Sequence, residues 1–185
     1  MTRLALLRHA ETAWSAEGRI QGQTDVPLLP NVCLQNTFSG MRIVTSPLRR
    51  CVETAALLGA PEAEREPRIA EMRWGAWEGR RLAELRAALG EAMRENEARG
   101  WDFRPEGGES PRELLARLRP WLAEVAARGE PTLAVTHRGV IRAVLAHALA
   151  WDLRGKPPVK LDWAAAQVFR LAADGRPAVE ALNVR

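Results

Sequence analysis

The sequence predicts an α/β fold built on a mostly parallel sheet. Two observations carry this reading: short apolar runs alternate with longer segments of helical periodicity, and three of those runs stop at residues suited to holding an anion. Arg3 to Leu7 is the first run and ends at Arg8-His9. Met41 to Thr45 (MRIVT) is the second, with Ser46-Pro47 behind it. Leu48 to Leu58 then carries Cys51, Thr54, Ala55 and Leu58 at helical spacing. Ser46 is expected to cap that helix and Pro47 to occupy its first turn, with Gly59 and Pro61 ending it.

Leu82 to Arg99 is rich in Ala, Leu, Glu and Arg and reads as one exposed amphipathic helix. Arg99 to Pro111 is the longest irregular stretch, of a size often tied to function. Ser110 to Arg128 is a further helix: Ser110 and Glu113 form a capping box, Pro111 takes the first helical position and Gly129 stops it. Pro120 is expected to bend it. Thr132 to Thr136 (TLAVT) is the third apolar run and ends at His137; Val140 to Leu149 follows as an apolar helix. Ala165 to Leu171 and Ala178 to Val184 flank Asp174-Gly175, a common hairpin turn pair.

A chain of 185 residues is expected to form one domain spanning 1–185. Cys33 and Cys51 make no CxxC pair, which fits a reducing compartment. No leader pattern opens the sequence, and no run approaches the ~18 apolar residues of a membrane span, so a soluble, cytoplasmic protein without membrane partners is expected. The net charge of +4 is modest, and Lys156 and Lys160 are the only lysines. The pI near 10.0 raises a nucleic-acid reading, but the basic residues form no stripe with interleaved aromatics, so no nucleic-acid partner is expected. No GxxxxGK[ST] phosphate loop occurs, and no two histidines have ligand spacing on one helix. No metal and no cofactor are expected.

Arg8-His9, Ser46 through Arg50, and Thr136-His137 all follow strand-like runs. Ligands of open α/β sheets bind outside the carboxyl ends of the strands, so these residues can share one pocket although they are far apart in sequence. Two histidines, two arginines and a helix start would favour a dianionic phosphate. Each of these features alone has an ordinary structural explanation; their joint occurrence carries the functional reading.

The motifs also have a pattern. Leu7-Arg8-His9-Ala10-Glu11-Thr12 resembles the signature of the histidine phosphatase superfamily, the phosphoglycerate-mutase-like proteins. Thr45 to Ala55 is similar to that family's second arginine motif, Glu71 to Gly79 to its acidic motif, Glu106 to Ser110 to its substrate loop, and Val135 to Arg142 to its second histidine motif. The resemblance implies a three-layer α/β sandwich with helices on both faces of the sheet. It implies that His9 is a nucleophile taking the phosphoryl group, that Arg8, Arg50 and His137 hold the phosphoryl oxygens, and that Glu71 is the general acid and base. It selects Arg50 over Arg49. Ser15, Gln21 and Gly22 fall where the family places polar contacts to substrate. Trp74 and Trp77 are read as packing the acidic loop, and His147 and Ser110 as structural.

Two departures stand out. Ala10 replaces the family's usual glycine. Leu28 to Met41 leaves too few residues for the usual long crossover helix, so a short or irregular crossover is expected. The implied activity is phosphatase action on a small phosphorylated metabolite, by a monomer or homodimer of the small-phosphatase branch that resembles α-ribazole phosphatase. A phosphoglycerate-mutase-type phosphoryl transferase and a non-catalytic phospholigand-binding module are the alternatives.

Overall fold

The computed structural model describes residues 1–32, 34 and 37–185; Cys33, Gln35 and Asn36 lie outside the described residues. Strand β1 (Thr2–Arg8) leads to a single helical turn, α1 (Ala13–Ala16). Strand β2 (Arg42–Thr45), helix α2 (Arg49–Leu57) and a two-residue strand β3 (Glu64–Arg65) follow. Helices α3 (Leu82–Leu89), α4 (Glu91–Ala98) and α5 (Pro111–Arg128) precede strand β4 (Thr132–Thr136) and helix α6 (Arg138–Ala148). Strands β5 (Ala166–Leu171) and β6 (Pro177–Val184) complete the order.

The strands form one six-stranded sheet in the order β3-β2-β4-β1-β5-β6. The β2–β3, β2–β4 and β1–β4 pairs are parallel, whereas β5 pairs antiparallel with β1 and with β6. The sheet is therefore mixed: the pairs from the β3 edge to β1 are parallel, and the pairs that add β5 and β6 are antiparallel. Crossover connections bury both of its faces, and the strand sequences show it. Successive side chains alternate sides. Leu4, Leu6, Val44 and Ala134 pack with α5 and α6 through Leu118, Trp121, Leu122, Ile141 and Val144. Ala5, Leu133 and Val135 pack on the opposite side with Cys51, Ala55 and Leu58. Both faces need apolar residues, so β1 and β4 read as near-continuous apolar runs. The result is three layers: α5 and α6, the sheet, and α2.

Most elements match their sequence signals. Ser110 accepts from the Glu113 amide, the Glu113 carboxylate reaches back, and Pro111 opens the helix. That helix continues through Pro120 to Arg128. Two expectations need correction, and one strand was not expected. The helix after β2 has Leu48, not Ser46, at its N-cap, and begins at Arg49, so Pro47 lies before its first turn. The expected single helix from Leu82 to Arg99 is two helices, because Gly90 adopts φ +52° and breaks the hydrogen-bonding ladder between them. The pair Glu64–Arg65 carries no apolar signal and was missed as a strand; it pairs with Val44 and Thr45 at the sheet edge. Among the described residues of 28–41 there is no helix, and Leu34, Phe38 and Met41 pack against the α2 face of the core.

The β5–β6 turn is anchored to the helical layer. Gly175 holds φ +82°, and a Cβ there would lie 2.5 Å from the Ala123 backbone nitrogen of α5. Gly175→Ala adds left-handed strain to a backbone clash and is expected to lose at least about 2 kcal/mol of stability. The midpoint of urea unfolding checks this.

Candidate active site

The parallel register brings the carboxyl ends of β1, β2 and β4 side by side. Arg8 of β1 pairs with Thr136 of β4, and the His9 amide donates to the Thr136 carbonyl at 2.9 Å. His9 and His137 are each the first residue beyond their strand. Their rings consequently lie 5.4 Å apart between centroids. The Ser46 amide joins the same row by donating to the Val135 carbonyl at 2.9 Å. Helix α2 then carries Arg50 inward: Arg50 is 0% exposed, whereas Arg49 is on the outside with Glu53 and Asp25. Helix α6 starts directly after His137.

The hydrogen bonds define the protonation of His9. Its Nδ1 lies 2.7 Å from the Ala10 carbonyl oxygen. A carbonyl only accepts, so Nδ1 carries the hydrogen and Nε2 presents a lone pair. Ala10 is held in turn, as its amide donates to Thr54 Oγ1, which donates to the Arg50 carbonyl. Burial, followed by the nearby Arg8 and Arg50 charges, lowers the His9 pKa from the ordinary 6.5 to about 3. His137 is fully buried and is pushed well below the usual range by burial, then by Arg50 and His9. Ser46 Oγ lies 2.7 Å from His137 Nε2, and the Cys51 thiol sits 3.4 Å from the same atom. Both imidazoles are thus neutral at physiological pH.

Arg50 spends its two terminal nitrogens on the Gly22 and Thr24 carbonyls, at 2.7 and 2.9 Å. Its Nε is buried without a protein partner, as is Nε of Arg8. Arg3 Nε is the remaining buried side-chain donor of this kind among the described residues, and it faces a Glu180 carboxylate oxygen at 3.1 Å. Only at Arg8 and Arg50 does the protein supply no acceptor. A buried N–H left unpaired costs about 1–3 kcal/mol, a cost the fold carries at both of these arginines. Burial lowers both guanidinium pKa values, and for Arg8 the neighbouring Arg138 adds to this.

Glu71 closes the site from the acidic loop. Its Oε1 accepts from the Met72 and Gly139 amides at 2.9 and 3.1 Å. A Cβ at Gly139 would come within 2.2 Å of that oxygen, so glycine is required there for the carboxyl group to reach the start of α6. Burial raises the Glu71 pKa; the two amides, Arg50 and Arg8 oppose it without cancelling it. Arg117 clamps this loop from α5 by donating to the Ala70 and Glu71 carbonyls and pairing with Glu109 at 2.9 Å. Trp74 and Trp77 pack edge-on against Phe103 behind it.

The three supporting residues behave differently. Ser15 lines the cleft, and its hydroxyl caps the turn with Thr12. Gln21 is buried and accepts from Thr12 Oγ1 at 2.9 Å. Gly22 contributes its carbonyl to Arg50, and a Cβ there would strike Glu78. Sequence reasoning missed Glu78, which collects the Gln23, Thr24 and Trp74 amides and shapes the loop that holds Arg50. It also missed Ser46 as the partner of His137; the run of polar residues after β2 was its only signal. The open cleft beside His9 has a volume of about 880 Å³, with Leu7, Val32, Leu34, Leu161 and Trp163 on its apolar wall. Among the described residues no group of three or more His, Cys, Asp or Glu is placed to hold a metal, and no helix is long and apolar enough to cross a membrane.

These features are those of a phosphohydrolase pocket on a phosphoglycerate-mutase-like fold, and comparison with known proteins agrees. The chain belongs to the histidine phosphatase superfamily (branch 1), which matches residues 4–185, and is a histidine-phosphatase-type hydrolase. It is 32% identical over 177 residues to glucosyl-3-phosphoglycerate phosphatase of Mycobacterium tuberculosis, covering 84% of this chain and 78% of that protein. It is 31% identical over 160 residues to the metal-independent phosphoserine phosphatase of Arabidopsis thaliana, covering 78% and 67%. The native structure of a mycobacterial glucosyl-3-phosphoglycerate phosphatase superposes with a TM-score of 0.77 at 28% identity, covering 100% of this chain and 99% of that one.

The His9 environment has a measurable consequence. Between the ordinary pKa of 6.5 and the folded value of about 3, the unfolded chain binds a proton that the folded chain refuses. Folding stability contributed by this site is therefore intact above 6.5 and declines as pH falls through that window. The His9 ring resonances, assigned against His9→Asn, are expected not to titrate between about pH 5 and 8 in NMR spectra, unlike those of an exposed histidine.

Proposed function

We propose that this hydrolase cleaves small phosphate monoesters through a phosphohistidine on His9. The observation that supports this most is the meeting of a lone-pair-bearing His9 Nε2 with the His137 ring and the Arg8 and Arg50 charges at the carboxyl ends of the parallel strands. A dianionic phosphoryl group is drawn to those two guanidinium charges and brings its phosphorus to the nucleophile.

The His9 Nε2 lone pair attacks phosphorus, and the P–O bond to the alcohol breaks. Glu71, whose protonated form burial favours, gives its proton to the leaving oxygen. The Glu71 carboxylate then takes a proton from a water whose oxygen attacks the phosphohistidine. The N–P bond breaks, its electron pair returns to Nε2, and inorganic phosphate leaves. Arg8, Arg50 and the neutral His137 stabilise the charge on the transferring oxygens throughout, which is where most catalysis of phosphoryl transfer arises. Ser15, Gln21 and Gly22 shape the phosphate side of the cleft, Gly22 by holding Arg50.

Within the family, the reading extends to the compact phosphatase branch that resembles α-ribazole phosphatase. That placement concerns the small scaffold. The alcohol is selected by the cleft walls, and a panel spanning α-ribazole phosphate, glucosyl-3-phosphoglycerate and phosphoserine, the latter two being the substrates that name the relatives, identifies it.

Trapping tests the intermediate. Rapid acid-minimised quenching after mixing with a ³²P-labelled ester is expected to leave alkali-stable, acid-labile label on the wild type and none on His9→Ala, whose circular dichroism stays native. Label or turnover retained in His9→Ala rejects the nucleophile. Glu71→Gln is expected to slow alkyl phosphates by about 10²–10⁴-fold, the usual worth of a general acid, and p-nitrophenyl phosphate far less in its first step. Equal losses on both esters would exclude the acid role.

A further inference from the structure

Glu78 makes and breaks no bond in the reaction, yet both of its carboxylate oxygens are fully occupied. Oε1 accepts from the Gln23 amide at 3.0 Å and from the Trp74 amide at 3.1 Å. Oε2 accepts from the Thr24 amide at 2.9 Å and from the Thr24 hydroxyl at 2.6 Å. An ionised carboxylate offers about four lone-pair sites, and here each oxygen takes two donors. Burial disfavours the charge, but the Thr24 hydroxyl and the three amides outweigh it and hold the Glu78 pKa below the usual carboxylate value.

The donors come from two segments. Gln23 and Thr24 lie between α1 and β2, whereas Trp74 belongs to the acidic loop that carries Glu71. Oε1 therefore bridges the two loops at a single atom. The Gln23 side chain runs the same way, donating to the Glu71 carbonyl at 3.1 Å. The Glu78 carboxylate also lies against the backbone of Gly22, where a Cβ would collide with it. Only glycine allows that approach at φ +52°.

The segment that Glu78 holds is the one that holds Arg50. The Gly22–Gln23 peptide is trans, so its N–H and C=O point in opposite directions. Its N–H donates to Glu78 and its C=O accepts from Arg50. Thr24 repeats the pattern, with its amide on Glu78 and its carbonyl on Arg50. Carboxylate, peptide and guanidinium thus form a chain of hydrogen bonds in which each bond polarises the next. Burial works against the Arg50 charge, and nearby acidic groups, Glu78 among them, oppose that effect.

We propose that Glu78 is a positioning residue for phosphoryl transfer: through the Gly22–Gln23 peptide and Thr24 it fixes the Arg50 guanidinium beside the phosphoryl group and ties it to the loop bearing Glu71. The proposal rests on the phosphatase reading of the site.

Glu78→Gln is the informative variant because glutamine keeps the shape. Its NH2 replaces one oxygen and turns a donor toward two donors. A side chain that only fills space tolerates this change. A misplaced catalytic group can cost 10²-fold, so Glu78→Gln is expected to lower kcat/KM for p-nitrophenyl phosphate by about 10–10²-fold. A double-mutant cycle with Arg50→Met, which removes the guanidinium and keeps a long apolar stem, shows the route. A residue acting through Arg50 has little left to lose in that background, so Glu78→Gln is expected to cost less than about two-fold there. Equal fold-losses in both backgrounds, or wild-type activity in Glu78→Gln, overturn the proposal. Thr24→Val deletes one donor to Oε2 and keeps every backbone bond, so it serves in the same cycle if Glu78→Gln fails to fold. Its expected loss is about three-fold or more, within the worth of one hydrogen bond, and it is expected to vanish beside Arg50→Met. Calorimetric binding of inorganic phosphate separates the two ideas. A wild type that binds phosphate but hydrolyses no ester refutes the phosphatase reading alone, and a Kd raised about ten-fold in Glu78→Gln still supports the positioning role. An unchanged Kd refutes that role, and a wild type that binds no phosphate refutes both.

Discussion

The parallel pairing of β1 with β4 is the constraint on which this site depends. The Arg8–Thr136 register places the first residue beyond each strand at the same height, and the His9 amide closes the pairing onto the Thr136 carbonyl. A slip of one residue would turn Arg8 and His9 to opposite faces and move both apolar sets out of the core. The pattern of Leu4, Leu6 and Ala134 on one face and Ala5, Leu133 and Val135 on the other makes such a slip costly. Core packing thereby sets the geometry of the candidate site: the same alternation that buries the sheet aligns the two imidazoles.

Burial then gives those imidazoles their chemistry. Removing His9 and His137 from water and surrounding them with guanidinium groups disfavours the protonated ring. Burial acts the opposite way on Glu71, favouring its proton. One desolvated site thus disfavours the charged form of the imidazoles and of the carboxyl group alike. Arg50 is held through the Gly22 and Thr24 carbonyls, and among the described residues it forms no ion pair with a carboxylate. Arg117 is the contrast: it is paired with Glu109 and serves the acidic loop as a clamp.

The elements that departed from expectation did so for local reasons. Composition over Leu82 to Arg99 favours helix throughout, but Gly90 is free to take a positive φ and the chain turns there. Ser46 has the chemistry of a helix cap, yet α2 starts only at Arg49, and the Ser46 hydroxyl instead accepts from the Leu48 amide and meets the buried His137 ring. Glu64–Arg65 has no apolar pattern because both residues are exposed on an edge strand, so only its backbone reveals it.

The sequence by itself determined the α/β class, the strands β1, β2 and β4 and the capped α5 helix, and it marked His9, Arg8, Arg50, Glu71 and His137 as the candidate set. Those signals are local: apolar runs, caps and motifs are written in neighbouring residues. It did not determine that Ser46 and Cys51 meet His137 or that Glu78 builds the loop around Arg50. Each of these contacts joins segments separated by tens of residues, and their proximity follows from the order of strands in the sheet and the packing of helices over it. Linear spacing carries no record of that order, so only the tertiary structure could decide it.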